Sequence, residues 1–323
     1  MSACHIPRCS IVVRCYNEER QIGRLLHGIT AQTLEDIEII VVDSGSTDRT
    51  IEIARQFPVR LLHIEPERFS FGRSLNLGCE AARSELVIAV SAHCHPLYTD
   101  WLATLLAPLE DPRVALSYGR QHGASTTRFS EHRVFASWFP SESDTNQPHP
   151  FCNNANAAIR RSIWRRFRYD ETLTGLEDVA FAKALMAEGH RVAYAADAAI
   201  VHVHDETWRQ VFNRYQREAI ALRRIFPEER LGAWDFIRLF AGNVAADARA
   251  ARRQGCLARN VRDIVIFRLM QFAGTYRGMS RTGGVTSQLR HRFYYPNHTS
   301  EHAPAAAREG SVVDYGEEPG LSR

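Results

Sequence analysis

Four groups of side chains in this sequence are spaced for chemistry. Asn17-Glu18-Glu19 and Asp43-Ser-Gly-Ser-Thr-Asp48 each follow a short apolar run. Gly45 permits a tight turn, and Ser46 or Thr47 can cap a following helix. Asp43 could accept a hydrogen bond from the N–H of a nucleobase or from a ribose hydroxyl. Taken singly, each segment is an ordinary strand-to-helix turn, but together, at consecutive strand ends, they read as a nucleotide pocket. The third group is rich in imidazole: Ser91-Ala-His93-Cys-His95 and Val201-His-Val-His-Asp205, whose His202 and His204 share a face if the segment is extended. The fourth is the acidic pair Glu177-Asp178, which leads into an expected helix over Val179 to Glu188. A helix N-terminus stabilises a carboxylate, which would make Asp178 a weaker base.

These groups need elements to hold them. Cys9-Ser-Ile-Val-Val13, Ile37 to Val42, Val59 to Ile64 and Glu85 to Val90 read as strands, and Glu19 to Gln32, Asp48 to Gln56 and Arg73 to Arg83 as helices. Strands alternating with helices of this length predict an α/β fold with a mainly parallel, Rossmann-like sheet. Ligands then bind beyond the carboxyl ends of the strands, where Asn17, Asp43 and Ser91 to His95 fall. Thr207 to about Met279 reads as a helical extension. The expected division is therefore an α/β domain over 1–205, a helical region over 206–295 and a flexible tail over 296–323, rich in Pro, Ala, Gly, Ser and Glu.

Composition removes several classes of protein. The 323 residues are 45% hydrophobic and 24% charged, so the chain buries a real core. No apolar run is long enough to span a bilayer, and the first residues lack a basic stretch followed by an apolar one. A net charge of +3 does not imply nucleic acid binding. Between Asp205 and Tyr295, however, 17 arginines stand against 8 acids. Arginines among apolar helix faces suit an anionic membrane surface, or else a solvated bundle. Seven cysteines without regular spacing fit a reducing cytoplasm. Neither G-x-G-x-x-G nor a P-loop occurs, which argues against a dehydrogenase or a P-loop enzyme. Adjacent ligands from one loop, without a Cys-x-x-Cys pair, make a poor zinc cage, so Cys94 and His95 do not predict a structural zinc site.

Ser10-Ile-Val-Val-Arg-Cys-Tyr-Asn-Glu18 followed by Ile39-Ile-Val-Val-Asp-Ser-Gly-Ser-Thr-Asp48 resembles the opening of family 2 glycosyltransferases of the GT-A fold. Arg14 stands where that family usually has proline. The likeness continues through Phe71-Gly-Arg-Ser-Leu-Asn-Leu-Gly78 and through Phe151-Cys-Asn-Asn-Ala-Asn-Ala-Ala-Ile-Arg-Arg161, and then through Gly175-Leu-Glu-Asp178 to His202. Thr207 to Ala219 and Tyr276-Arg-Gly278 are similar to rhamnosyltransferase-like members.

The resemblance implies that Asn17, Glu18, Asp43, Arg73 and Asn76, with Ser91 and His93, bind the nucleotide-diphosphate sugar. A planar guanidinium such as Arg73 suits phosphate oxygens. Asn154 and Asn156 would line the acceptor site, and Asp178, with Glu177, would act as the base of an inverting transfer. The serious departure is the Asp-x-Asp metal motif, replaced here by Ser91-Ala-His93. Two readings stay open. In one, His93 binds a divalent cation with His202 or His204; imidazole suits Mn²⁺ better than Mg²⁺. In the other, no metal is used and His93 and Arg73 stabilise the diphosphate directly. The donor would be dTDP-rhamnose or a UDP-sugar, and the acceptor a glycan or lipid-linked glycan of a cell-surface polysaccharide. A catalytically degenerate GT-A protein that only binds a nucleotide sugar or a partner is the rival reading. A nucleotidyltransferase would need a glycine-rich phosphate loop, and Arg14 to Arg20 contains no glycine.

Overall fold

The computed structural model describes residues 5–281 and 311–315. The first half alternates strands and helices in the expected order: β1 (Cys9–Cys15), α1 (Ile22–Thr30), β2 (Ile37–Asp43), α2 (Thr50–Ala54), β3 (Val59–His63), α3 (Phe71–Ala81) and β4 (Leu86–Ser91). Then follow β5 (Cys94–Pro96), α4 (Trp101–Leu106), β6 (Val114–Gly123), α5 (Phe129–Trp138), β7 (Asn156–Arg160), α6 (Arg161–Phe167), α7 (Glu177–Ala187) and β8 (Arg191–His202). Three helices follow: α8 (Trp208–Ile225), α9 (Ala233–Arg253) and α10 (Leu257–Met279).

The eight strands form one sheet in the order β3-β2-β1-β4-β7-β6-β8-β5. β1 to β4 pair in parallel, as do β6 and β8. β7 runs antiparallel between β4 and β6, and β5 antiparallel to the end of β8. Both faces are covered, which is why the strands read as continuous apolar runs rather than alternating ones. Along β1, Ile11 and Val13 face α1 and α4 with Leu25, Leu26 and Trp101, while Val12 faces α3 with Leu75. Each such buried side chain contributes roughly 1.5–3 kcal/mol. α3 lies so close to β1 that a Cβ on Gly78 would sit 2.2 Å from Val12 Cγ1.

α8 starts at a capping box, with Thr207 and Gln210 exchanging hydrogen bonds, and packs lengthwise on α10. A buried ion pair, Arg268 to Asp247 at 2.7 Å, ties α10 to α9, and Arg133 of α5 reaches the same carboxylate at 3.4 Å. No described helix is long and apolar enough to cross a membrane.

The flexible tail expected from residue 296 falls mostly on residues outside those described. Its segment 311–315 is docked instead. Val312 bridges Tyr98, Val313 N–H donates to Leu97 O at 3.1 Å, and Val313 is buried. Tyr315 donates its hydroxyl to Pro96 O at 2.6 Å and stacks edge-on against His95. This segment therefore lies against the residues that immediately follow the His93 loop.

Candidate active site

The loops after β1 and β2 are stitched together by their own motif residues. Asn17, in left-handed backbone at φ 51°, donates its N–H to Ser46 Oγ at 2.9 Å and accepts Thr47 N–H at 2.8 Å. Glu18 N–H donates to Thr50 Oγ1 at 2.7 Å. Asp43 is buried at the tip of β2, where its carboxylate accepts the N–H groups of Gly45 and Ser46, each at 3.1 Å. Gly45 has φ +93°, a conformation other residues adopt at a cost. His63 lies 3.2 Å from the same carboxylate.

The register of β1 brings the next groups in. Cys15 pairs with Asp43 on one side, and Arg14 with Ser91 on the other. The Arg14 guanidinium donates to Ser91 Oγ at 3.4 Å and to Glu177 Oε1 at 3.3 Å, and lies 5.3 Å from the Phe71 ring centre. Glu177 and Asp178 open α7 after Leu176, whose φ of 54° is left-handed and strained for a leucine. That turn places both acids inside the protein. Asp178 accepts Asn154 N–H at 3.0 Å and the N–H of Val179 at 2.8 Å. Burial, then the neighbouring Glu177 carboxylate, pushes Asp178 up to about 7, against the opposing pull of these N–H groups and Arg14. The weakening expected from the helix start is thus overridden by desolvation.

The third cluster is built by β5. Its pairing of Cys94 with His202, and a hydrogen bond from Val203 N–H to His93 O, set His93 beside the end of β8. His93 stacks on His202 with ring centres 4.9 Å apart, and His202 and His204 approach Nε2 to Nε2 at 3.1 Å. One ligand atom from each of the three imidazoles lies within 4.8 Å of the others. Every Nδ1 has an oxygen partner: Glu18 at 2.6 Å for His93, Gln121 at 2.7 Å for His202, and Glu131 at 2.8 Å for His204. Burial and the neighbouring cationic groups keep His202 well below its usual value; burial also opposes a charge on His93, but Glu18 outweighs it and raises His93. The adjacent acids Glu131 and Glu206 are both claimed by Arg214, so they are neutralised by a guanidinium. Neither Cys94 nor His95 joins a metal-competent group among the described residues.

Residues 10–168 match the family described as glycosyl transferase family 2. The chain carries a family 2 glycosyltransferase domain. Among curated relatives, it is 27% identical over 220 residues to the O-antigen chain rhamnosyltransferase RfbN of Salmonella typhimurium, covering 64% of this chain and 70% of that protein. It is 28% identical over 222 residues to the O-antigen chain rhamnosyltransferase WbaN of Salmonella anatum, covering 65% and 70%. Among solved structures it resembles a mannosyltransferase of Pyrobaculum calidifontis in complex with GDP-Man and Mn²⁺, with a TM-score of 0.60 and 20% identity over 87% of this chain and 89% of that one. S. aureus TarS, in complex with UDP-GlcNAc, aligns with a TM-score of 0.53 and 18% identity over 84% and 91%. The fold is GT-A, with the C-terminal helices appended.

Within this glycosyltransferase, Asn17, Glu18, Asp43, Ser91, His93, Glu177 and Asp178 converge at the carboxyl ends of β1, β2 and β4, with His202 and His204 alongside. Arg73 stands at the rim, half-exposed and 3.3 Å from Glu171. Three asparagines behave otherwise than expected. Asn76 spends its amide on Trp164, Tyr169 and Glu171, four hydrogen bonds that leave nothing for a donor. Asn156 is fully buried and held by three hydrogen bonds, to Trp101, Arg120 and Ala198. Asn154 is buried and braces Asp178 and Glu177 rather than facing an acceptor.

The residue missed by sequence reasoning is Arg14, visible only as a departure from the family's proline. Its charge opposes the rise of Asp178. In Arg14→Ala, the rise of transfer rate with pH should shift to higher pH, and Arg14→Lys should restore part of it. Rate–pH profiles of the three proteins measure this; superimposable profiles would remove Arg14 from the site.

Proposed function

We propose that this enzyme transfers a sugar, with inversion, from a nucleotide-diphosphate donor to a hydroxyl of a growing cell-surface glycan. The observation that carries the reading is the buried Asp178, whose carboxyl is held near neutrality at the strand ends where Asp43 and Ser91 also meet. A general base works best when its pKa lies near the working pH. Deprotonated Asp178 takes the proton of the acceptor hydroxyl as that oxygen attacks the anomeric carbon and the bond to the diphosphate breaks. Asn154 and Arg14 fix the acid pair during this step. Asn17, Glu18 and Asp43 hold the nucleoside, and Arg73 at the rim reaches the phosphates. A carboxyl poised in this way supports catalysis over donor binding alone.

The leaving diphosphate needs positive charge. The three imidazoles fit a divalent cation: each Nδ1 is committed to an oxygen, which turns Nε2 toward a ligand, the usual arrangement around metal-bound histidine. Two Nε2 atoms at 3.1 Å are satisfied only by a shared proton or a cation. A cation held by His93, His202 and His204 would supply positive charge for the diphosphate; nitrogen ligands favour Mn²⁺ over Mg²⁺. The Mn²⁺ named with the Pyrobaculum mannosyltransferase supports a cation in this fold. The relatives' names support a rhamnosyl donor and an O-antigen-like, lipid-linked acceptor.

A panel of UDP, dTDP and GDP, each with Mn²⁺, tests the donor site. One nucleotide is expected to raise the unfolding temperature by several degrees at a concentration about 100 times its dissociation constant. If none of the three stabilises the protein, the donor reading fails.

A further inference from the structure

The α9–α10 hairpin presents an apolar face that no other part of the described chain covers. Nine large hydrophobic side chains are exposed among the described residues, and six lie on this hairpin: Trp234, Ile237, Val261, Val265, Leu269 and Tyr276. Such clustering does not arise from scattered surface residues, which are ordinary singly. On α10 the four recur at spacings of four, four and seven residues, along one stripe of the helix. On α9, Trp234 and Ile237 begin a matching stripe, and Trp234 is 73% exposed. The two helices pack against each other, and Phe236 meets Tyr276 at 5.9 Å, so the start of α9 adjoins the end of α10.

The charge around this face is predominantly positive. Seven exposed arginines (Arg238, Arg249, Arg252, Arg253, Arg259, Arg262 and Arg277) stand on the hairpin. Of its three acids, Asp247 is buried with Arg268, which leaves only Asp235 and Asp263 outside the core. Aromatic and aliphatic side chains flanked by arginines suit an interface between hydrocarbon and anionic headgroups. A second copy of the chain would set arginine against arginine, which disfavours self-association through this face.

We infer that the outer face of the α9–α10 hairpin docks the enzyme on an anionic lipid bilayer. The helices lie along the surface, with Trp234, Ile237, Val265 and Leu269 entering the headgroup boundary and the arginines meeting lipid phosphates. The inference stands apart from the transfer chemistry, because docking needs neither donor nor acceptor.

Flotation of the full chain with vesicles tests it, without any nucleotide. The protein is expected to float with vesicles of phosphatidylglycerol and phosphatidylcholine, to stay behind with phosphatidylcholine alone, and to be released by high salt. The double variant Arg252→Glu, Arg262→Glu should lose about tenfold or more in partition, as each surface arginine contributes a factor of about five. Trp234→Ser combined with Leu269→Ser should weaken binding to a similar degree. These positions are exposed, so unchanged unfolding temperatures establish that the variants are folded. Absence of flotation, equal flotation on neutral vesicles, or binding indifferent to both double variants overturns the inference. So does a concentration-dependent dimer that the Trp234, Leu269 variant abolishes, which would assign the face to a second copy.

Discussion

Asp178→Asn should abolish sugar transfer while leaving nucleotide binding intact. The amide keeps the volume and can still meet Asn154, but it cannot take a proton. General-base catalysis contributes roughly 10²–10⁴ in rate, so the loss should reach at least that range. In the wild type, transfer should rise with pH through the region of 7 where Asp178 ionises. The same shift has a consequence for stability. The carboxyl binds its proton more tightly folded than unfolded, so its contribution is present at low pH and is lost as pH climbs toward 7. Above that pH the native protein holds a buried carboxylate at a cost that the amide avoids. Asp178→Asn should therefore unfold at a higher temperature than the wild type at pH 8, with the difference vanishing near pH 4. A variant that turns over normally would remove Asp178 as the base.

His202→Ala should abolish cation binding at the imidazole cluster. His202 is buried, neutral and packed against both His93 and His204, so its removal leaves only two of the three imidazole ligands. Metal content measured on protein equilibrated with Mn²⁺ should fall from one per chain toward zero, and transfer by about 10² or more. A chelator should inactivate the wild type, Mn²⁺ should restore it, and Mg²⁺ should do so poorly because it prefers oxygen ligands. Retained activity under chelator, with no metal found in the wild type, would favour direct stabilisation of the diphosphate by His93 and Arg73. Metal content separates that outcome from a folding defect, since a chelated wild type is not mutated.

Much of the frame was legible because it rests on patterns of period and punctuation. The run Cys9 to Val13 is apolar at every position but Ser10, as suits a strand covered on both faces, and Ser46 with Gly45 marks the turn after β2. The acid pair could be recognised from its neighbours, but its strength could not: whether Asp178 is weakened by a helix start or raised by burial depends on packing that no local pattern encodes. The asparagines show the same limit. Asn76, Asn154 and Asn156 look like ligand-facing amides in a sequence, and only three-dimensional contacts reveal that Trp164, Glu177 and Trp101 already engage them. Arg14 was visible as an oddity, while its partners lie 77 and 163 positions further along the chain.

The docked segment 311–315 bears on how the protein is made. Tyr315 reaches back 219 positions to Pro96, so a growing chain emerging from the ribosome lacks this clamp until residue 315 has been made. Contacts of such long range form late and slow folding. The nascent chain would thus complete the support behind its histidine loop well after the loop itself has emerged, a built-in delay between emergence of the domain and its maturation.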